Sequence, residues 1–175
     1  MHMSIIFAWF LAFSPIQDTA RKPIINIEET TLKPMNVLVI PEMVTGFDDF
    51  EQLMRTDYEE LFSFIKENQL QPGKVMAFYY LEESPLVMDV AVEVNQLPTA
   101  FTGRIKGIYL EGGKAVVIHY KGPYGRITVA YDELRKWLKK HHKKALECAF
   151  ESYLNDPATT KDPWELRTDI YQRIR

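Results

Sequence analysis

The chain has a single cysteine, Cys148, among 175 residues. A disulfide within the chain is therefore excluded, and so is a zinc site built from a cysteine cluster. Histidine is also sparse, with His2, His119, His141 and His142. Two of these are adjacent, and successive helical residues point about 100° apart, which is poor ligand spacing. No metal and no cofactor is expected. Positive charge is in short supply too. There are 21 Lys and Arg against 24 Asp and Glu, a formal net charge of −3. General nucleic-acid binders carry a positive excess that neutralises phosphates, so direct DNA binding is not expected. Long apolar runs are missing as well. The residues MSIIFAWFLAF, 3–13, form the main one, too short to span a bilayer. The run has the length of a signal-peptide core, and Thr19-Ala20 suits a cleavage point. Only Met-His precedes it, without Lys or Arg. Export or anchoring through residues 3–13 stays open beside a cytoplasmic location, which is favoured. No membrane span is expected.

What is present describes a soluble globular protein. Apolar residues make up 46% and charged residues 26%, both ordinary values. Aromatics reach 13%, with nine tyrosines and three tryptophans. The organisation reads as an N-terminal apolar segment over 1–23, a signal peptide or disordered tail, followed by one domain over 24–175.

From Asn36 onward one pattern occurs twice. The first pass is VLVIPE (37–42), a loop with Gly46, a helical stretch, VMAFYYLEES (75–84) and LVMDVAVEV (86–94). The second is KAVVIHY (114–120), a loop with Gly122 and Pro123, a helical stretch, LECAFESYLNDP (146–157) and ELRTDIYQRI (165–174). Met54, Tyr58, Leu61, Phe62 and Ile65 form one apolar stripe at helical spacing, and Ile127, Ala130, Tyr131, Leu134 and Leu138 form another. YEELFSFIKEN (58–68) and YDELRKWLKKH (131–141) align without a gap. Pro72-Gly73 marks the end of the first helical unit; the second ends in lysines and histidines. Phe101 to Tyr109 reads as a further strand, and Glu111-Gly112-Gly113-Lys114 as a hairpin-like turn. The fold class is α+β. Duplicated strand-helix-strand-strand halves join into a curved antiparallel sheet, with helices on one face and a ligand cleft on the other.

One residue breaks the repeat. In AFESYLNDP (149–157), Ala149, Glu151 and Tyr153 share one strand face. Aligning Tyr79 with Tyr153 aligns Ala77 with Glu151, a methyl group with a carboxylate. A single acid on an aromatic surface can hold a cationic ligand whose apolar body stacks on Tyr or Trp. It can also serve as a general base.

HYKGPYGRITVAYDELRKWL (119–138), AFESYLNDP (149–157) and ELRTDIY (165–171) together resemble the GyrI-like small-molecule-binding domain. That domain also forms the effector-binding end of AraC- and MerR-type regulators. The resemblance spans about residues 24 to 175. It implies the duplicated fold reached above and a cleft with a central glutamate among aromatics, here Glu151. It also implies three activities. One is capture of an apolar, cationic or xenobiotic small molecule. Another is hydrolysis of electrophilic cyclopropane-containing compounds with Glu151 as the catalytic residue. The third is inhibition of DNA gyrase through protein contact. Only 35 residues precede Asn36, too few for the helix-turn-helix domains of the regulators. A stand-alone binding domain with a small-molecule ligand is the expectation, and a protein partner stays open beside it.

The candidate ligand-binding residues are Glu151, Tyr153, Trp164, Tyr171, Tyr124 and Tyr80. Tyr124 follows the Gly122-Pro123 turn, and Trp164 sits in a proline-rich loop beside the Tyr171 strand. Tyr79 and Tyr80 must face opposite sides of their strand. His119 reads as a half-buried strand residue, and Cys148 as a small buried apolar one. No Ser or Cys triad is visible. The basic run RKWLKKHHKK (135–144) suits a helix C-terminus through the helix dipole.

Overall fold

The computed structural model describes residues 21–46, 48–81 and 85–175. The apolar run at residues 3–13 lies outside the described residues, so its reading as a leader or anchor is untouched. Eight strands and two α-helices follow one another in the order β1 (Ile24–Leu32), β2 (Met35–Val44), α1 (Phe50–Glu67), β3 (Pro72–Leu81), β4 (Leu86–Val94), β5 (Lys106–Leu110), β6 (Gly113–Lys121), α2 (Thr128–Lys140), β7 (Phe150–Tyr153) and β8 (Arg167–Arg173). Short 3₁₀ turns occupy Tyr124–Arg126 and Pro163–Glu165. Among the described residues, no helix is long and apolar enough to cross a membrane.

All strands join one sheet in the order β1-β6-β8-β7-β3-β4-β2-β5, and every pairing is antiparallel. The two halves meet where β7 pairs β3. There Ala77 lies directly opposite Glu151, with Val75 opposite Tyr153. The residues that the repeat makes equivalent are thus cross-strand partners, as they must be if a pseudo-twofold axis passes between them.

The repeat is longer than strand-helix-strand-strand. β1 precedes the first unit, yet it pairs with β6 of the second. β5 precedes the second unit, yet it pairs with β2 of the first. Each unit begins with a strand lent to the other. The expected strand over Phe101–Tyr109 is therefore shorter, and the Glu111–Lys114 turn is no hairpin. It carries the chain from one end of the sheet to the other.

This lending bends the sheet. β1 ends at Leu32 on one side and β2 starts at Met35 near the other edge, a span of at most about 11 Å. Gly112 crosses the same region; a Cβ there would stand 2.6 Å from the Leu32 carbonyl oxygen and 2.9 Å from the Pro34 nitrogen. With its ends drawn together, the sheet folds its helix-free face inward. One apolar cluster, containing Leu32, Met35, Val37, Val39, Met76, Phe78, Ala91, Ala115 and Phe150, fills that face. Ile108, Leu110 and Tyr171 pack against it. Phe150 ties the centre together, with its ring 5.1 Å from both Phe78 and Tyr171.

The outer face splits into two cores. Met54, Tyr58, Leu61, Phe64 and Ile65 of α1 pack on Leu38, Ile40, Met88, Val90 and Val92. Ala130 and Leu134 of α2 pack on Val116, Ile118, Tyr120 and Ile170. Both helices stop the same way: Gln69 and His142 adopt φ of 55° and 53°, and Leu70 N and Lys143 N reach back to the Ile65 and Leu138 carbonyls. These are helix-terminating left-handed turns made without glycine. The lysine- and histidine-rich end of α2 is the structural twin of the end of α1.

Candidate functional site

The seam between the two outer cores lies over the β3–β7 pairing. Because faces alternate along β7, Phe150 and Ser152 point inward while Glu151 and Tyr153 point to the helix side. The α+β layering holds, but the cleft expected away from the helices needs correction. The helix-free face is filled with side chains, and Glu151 lies on the helix face between α1 and α2.

Glu151 is buried, with 5% of its surface exposed. Tyr131 of α2 donates to its Oε1 at 2.8 Å, and Tyr153 donates to its Oε2 at 2.9 Å. Tyr153 and Tyr79 have their hydroxyls 3.0 Å apart. Tyr153 spends its single proton on Glu151, so Tyr79 is the donor in that contact. A chain Tyr79 → Tyr153 → Glu151 therefore crosses the pseudo-twofold axis. Tyr124 sets its ring edge-on to Tyr153 at 5.7 Å. Tyr58, buried on α1, donates to the Met76 carbonyl at 2.8 Å. Tyr58 and Tyr131 are matched positions of the two helices. One finds a backbone carbonyl beside Ala77; the other finds the carboxylate.

The electrostatics are those of one acid in a wall of neutral phenols. Burial pushes the hydroxyls of Tyr58, Tyr79 and Tyr153 well above the usual tyrosine value. Burial raises Tyr124 too. For Tyr79, Tyr124 and Tyr153 the next cause is the negative charge of Glu151. All four remain protonated at neutral pH. Ala77 opposite Glu151 keeps the axis uncrowded, since a methyl group stands where a longer side chain would reach the carboxylate.

Of the residues singled out in the sequence, Glu151, Tyr153 and Tyr124 come together. Tyr80 and Tyr171 do not, because their strand parity puts them on the opposite face from Glu151. Tyr80 is exposed and donates to Asp89 at 2.7 Å. Tyr171 donates to Asp169 at 3.2 Å, and Asp169 also bonds His119 Nδ1 at 2.7 Å. Trp164 stands apart as well, with the guanidinium carbons of Arg21 and Arg126 over its ring at 5.2 and 5.4 Å. Tyr58, Tyr79 and Tyr131 complete the candidate site; the sequence reading placed Tyr58 and Tyr131 in helix stripes and Tyr79 on its strand, and none of them among the ligand-binding residues. Their signal was there: Tyr58 matches Tyr131, and Tyr79 matches Tyr153, across the repeat. Burial lifts the Cys148 thiol to about 11, which keeps it a poor nucleophile. Among the described residues, no group of three or more His, Cys, Asp or Glu side chains could hold a metal ion.

A curved eight-stranded antiparallel sheet with two outer helices, and a buried acid on its pseudo-twofold axis, defines a duplicated α+β domain. The family model for the GyrI-like small molecule binding domain matches residues 25–175, and the chain belongs to that family. Solved structures share the fold. The EcmrR chain in an EcmrR–DNA complex superposes with a TM-score of 0.76 at 20% identity, over 86% of this chain and 57% of that one. This chain therefore spans little more than half the length of that relative. The EcmrR C-terminal domain alone matches with a TM-score of 0.70 at 18% identity, over 87% of this chain and 98% of the domain. A hydrolase from Listeria innocua gives 0.63 at 14% identity, over 85% of this chain and 91% of the other. SAV2435 bound to tetraphenylphosphonium gives 0.58 at 12% identity, over 86% and 94%. Among curated proteins, none matches the chain in sequence.

Proposed function

We propose that the seam around Glu151 captures an apolar organic cation, with the carboxylate opposing its charge and the tyrosine rings holding its body. The carrying observation is the buried Glu151 carboxylate, held by Tyr131 and Tyr153 opposite the small Ala77. A buried carboxylate attracts a cation strongly because little water screens it, and aromatic faces add attraction for the same charge. The neutral phenols discriminate against anions, because they bring no positive charge into the seam. A structural neighbour seen with tetraphenylphosphonium makes that ion a suitable probe.

Isothermal titration of the protein and of Glu151→Gln with tetraphenylphosphonium tests this. Gln keeps the shape and removes the charge. Affinity should fall by at least about tenfold, the loss of one desolvated charge interaction of roughly 1.5–3 kcal/mol. Equal affinity in the two proteins would remove Glu151 from the ligand site. Catalysis is the weaker reading: a general base needs a second group to manage the leaving atom or the oxyanion, and the groups seen bonded to Glu151 are the phenols of Tyr131 and Tyr153. Consumption of an electrophilic cyclopropane beyond one equivalent of protein would favour it.

A further inference from the structure

Tyr124, which covers Tyr153 beside Glu151, belongs to the short turn Tyr124–Arg126, and this turn is tied down from outside. Gly122 N donates to the Leu166 carbonyl at 2.9 Å, and Tyr120 donates to the Pro123 carbonyl at 2.7 Å. A Cβ on Gly122 would come within 3.0 Å of the Tyr120 hydroxyl and 3.1 Å of Pro23, so the root of the turn is tightly seated. Its far end runs into α2 through Ile127, whose N–H donates to the Tyr124 carbonyl at 3.0 Å, and its exposed side is held by Arg126. That guanidinium lies over the Trp164 ring and forms no ion pair with a carboxylate among the described residues. Its other contact is a long 3.5 Å hydrogen bond to the Arg21 carbonyl. Arg21 lies over Trp164 too. Unlike Arg126, it is paired, with Asp162 at 2.8 Å and Glu165 at 3.4 Å. Asp162 in turn accepts from Trp164 N at 3.0 Å.

Trp164 is thus gripped by two cations from different parts of the chain. One is anchored to the loop that carries Trp164. The other is attached to the turn that carries Tyr124. We infer that the Arg21–Trp164–Arg126 stack is a latch: it holds the Tyr124 turn shut over Glu151, and ligand reaches the seam when Arg126 leaves the ring. This rests on the proposed binding role of Glu151 for its functional meaning, though not for its mechanics. It gives Trp164 a role in access in place of ligand contact. A cation–π contact at a partly exposed site is weak enough to open often, which suits a gate.

Two variants separate the possibilities. Arg126→Gln removes the cation at an exposed position and leaves the core intact. Trp164→Phe keeps a smaller aromatic face. Hydrogen exchange of the amides in 122–127 reads the latch without any ligand. Exchange there should quicken about two- to fivefold in Arg126→Gln, and less in Trp164→Phe. Stopped-flow anisotropy with rhodamine 6G, a fluorescent apolar cation, reads access. Association should quicken by a similar factor in Arg126→Gln, with Trp164→Phe between it and the parent. Unchanged exchange in Arg126→Gln overturns the latch. Quickened exchange with unchanged association overturns its role as a gate. If the parent protein binds no rhodamine 6G and no tetraphenylphosphonium, the ligand reading fails, and hydrogen exchange still decides the latch.

Discussion

Asp57 offers a quantitative check on how this structure handles buried charge. It sits on α1 with 1% of its surface exposed, next to Tyr58. Arg104 donates to its Oδ1 at 2.6 Å and to Glu60 at 2.7 Å, and also bonds Glu42. Burial nonetheless pushes the Asp57 carboxyl up to about 6, above its ordinary 3.8, with Arg104 pulling the other way. The reason is geometric. Asp57 is buried while the Arg104 side chain is 46% exposed, so water screens the attraction far more than it repays the desolvation. A carboxyl raised on folding favours the folded state when protonated. Its contribution to stability is fully present below about 3.8 and is lost as pH rises through about 6. The whole gap corresponds to on the order of 3 kcal/mol at 1.36 kcal/mol per pH unit. Asp57→Asn keeps the shape, keeps an oxygen for Arg104 and removes the titration. Urea unfolding of both proteins from pH 4 to 7.5 measures the difference. The parent should lose about 2.4 kcal/mol more than the variant across that range, since at pH 4 part of the gap is already spent. The variant should match or exceed the parent at pH 7.5. Parallel pH profiles would refute the reasoning, and would mean that Arg104 compensates the charge fully.

Other outcomes follow from the backbone. His142→Gly should raise the thermal midpoint by about 2–4 °C, because the exposed His142 holds φ of 53° and relief of that strain is worth on the order of 1 kcal/mol; an unchanged midpoint would show the turn to be unstrained. Gly112→Ala should lower stability by about 1–3 kcal/mol, since its Cβ would meet backbone atoms of Leu32 and Pro34. Chemical denaturation reads this, and a neutral result would mean that the two crossing connections can move apart.

Much of this architecture was legible in the sequence because periodicity reports it. Helical stripes such as Met54-Tyr58-Leu61-Ile65, and alternation in Met88-Val90-Val92, marked the elements. The gapless match of the two helices exposed the repeat, and aligning Tyr79 with Tyr153 then gave the equivalence of Ala77 and Glu151. Alternation also says which residues share a face. With Tyr79 matched to Tyr153 it already put Tyr80 on the other face from Glu151, whereas the face of Tyr171 depends on the β7–β8 register, which alternation within one strand does not give. β1 escaped notice because IINIEETTL is half polar and its partner lies in the other half of the chain. Trp164 was read as a ligand contact because nothing local announces that Arg21 and Arg126 occupy its ring. Tyr58 and Tyr131 were read as core, as their spacing suggests. Their hydroxyls acquire meaning only once β3 and β7 are side by side.

The lent strands also govern the order in which the molecule can be built. Ile24 finds its partner in Lys121, and this pairing closes a loop of about two-thirds of the domain. Loop-closure entropy must be met before such a contact gives anything back, and domains rich in distant pairings fold slowly. On the ribosome β1 emerges first and waits, unpaired, until β6 has been made. The first half cannot complete its own sheet either, because β2 stays open on one side until β5 arrives. Nascent chains that stop before Lys106 therefore carry β1 unpaired, together with the open sides of β2 and β3. Of the chain's synthesis intermediates, these are the ones most in need of a chaperone.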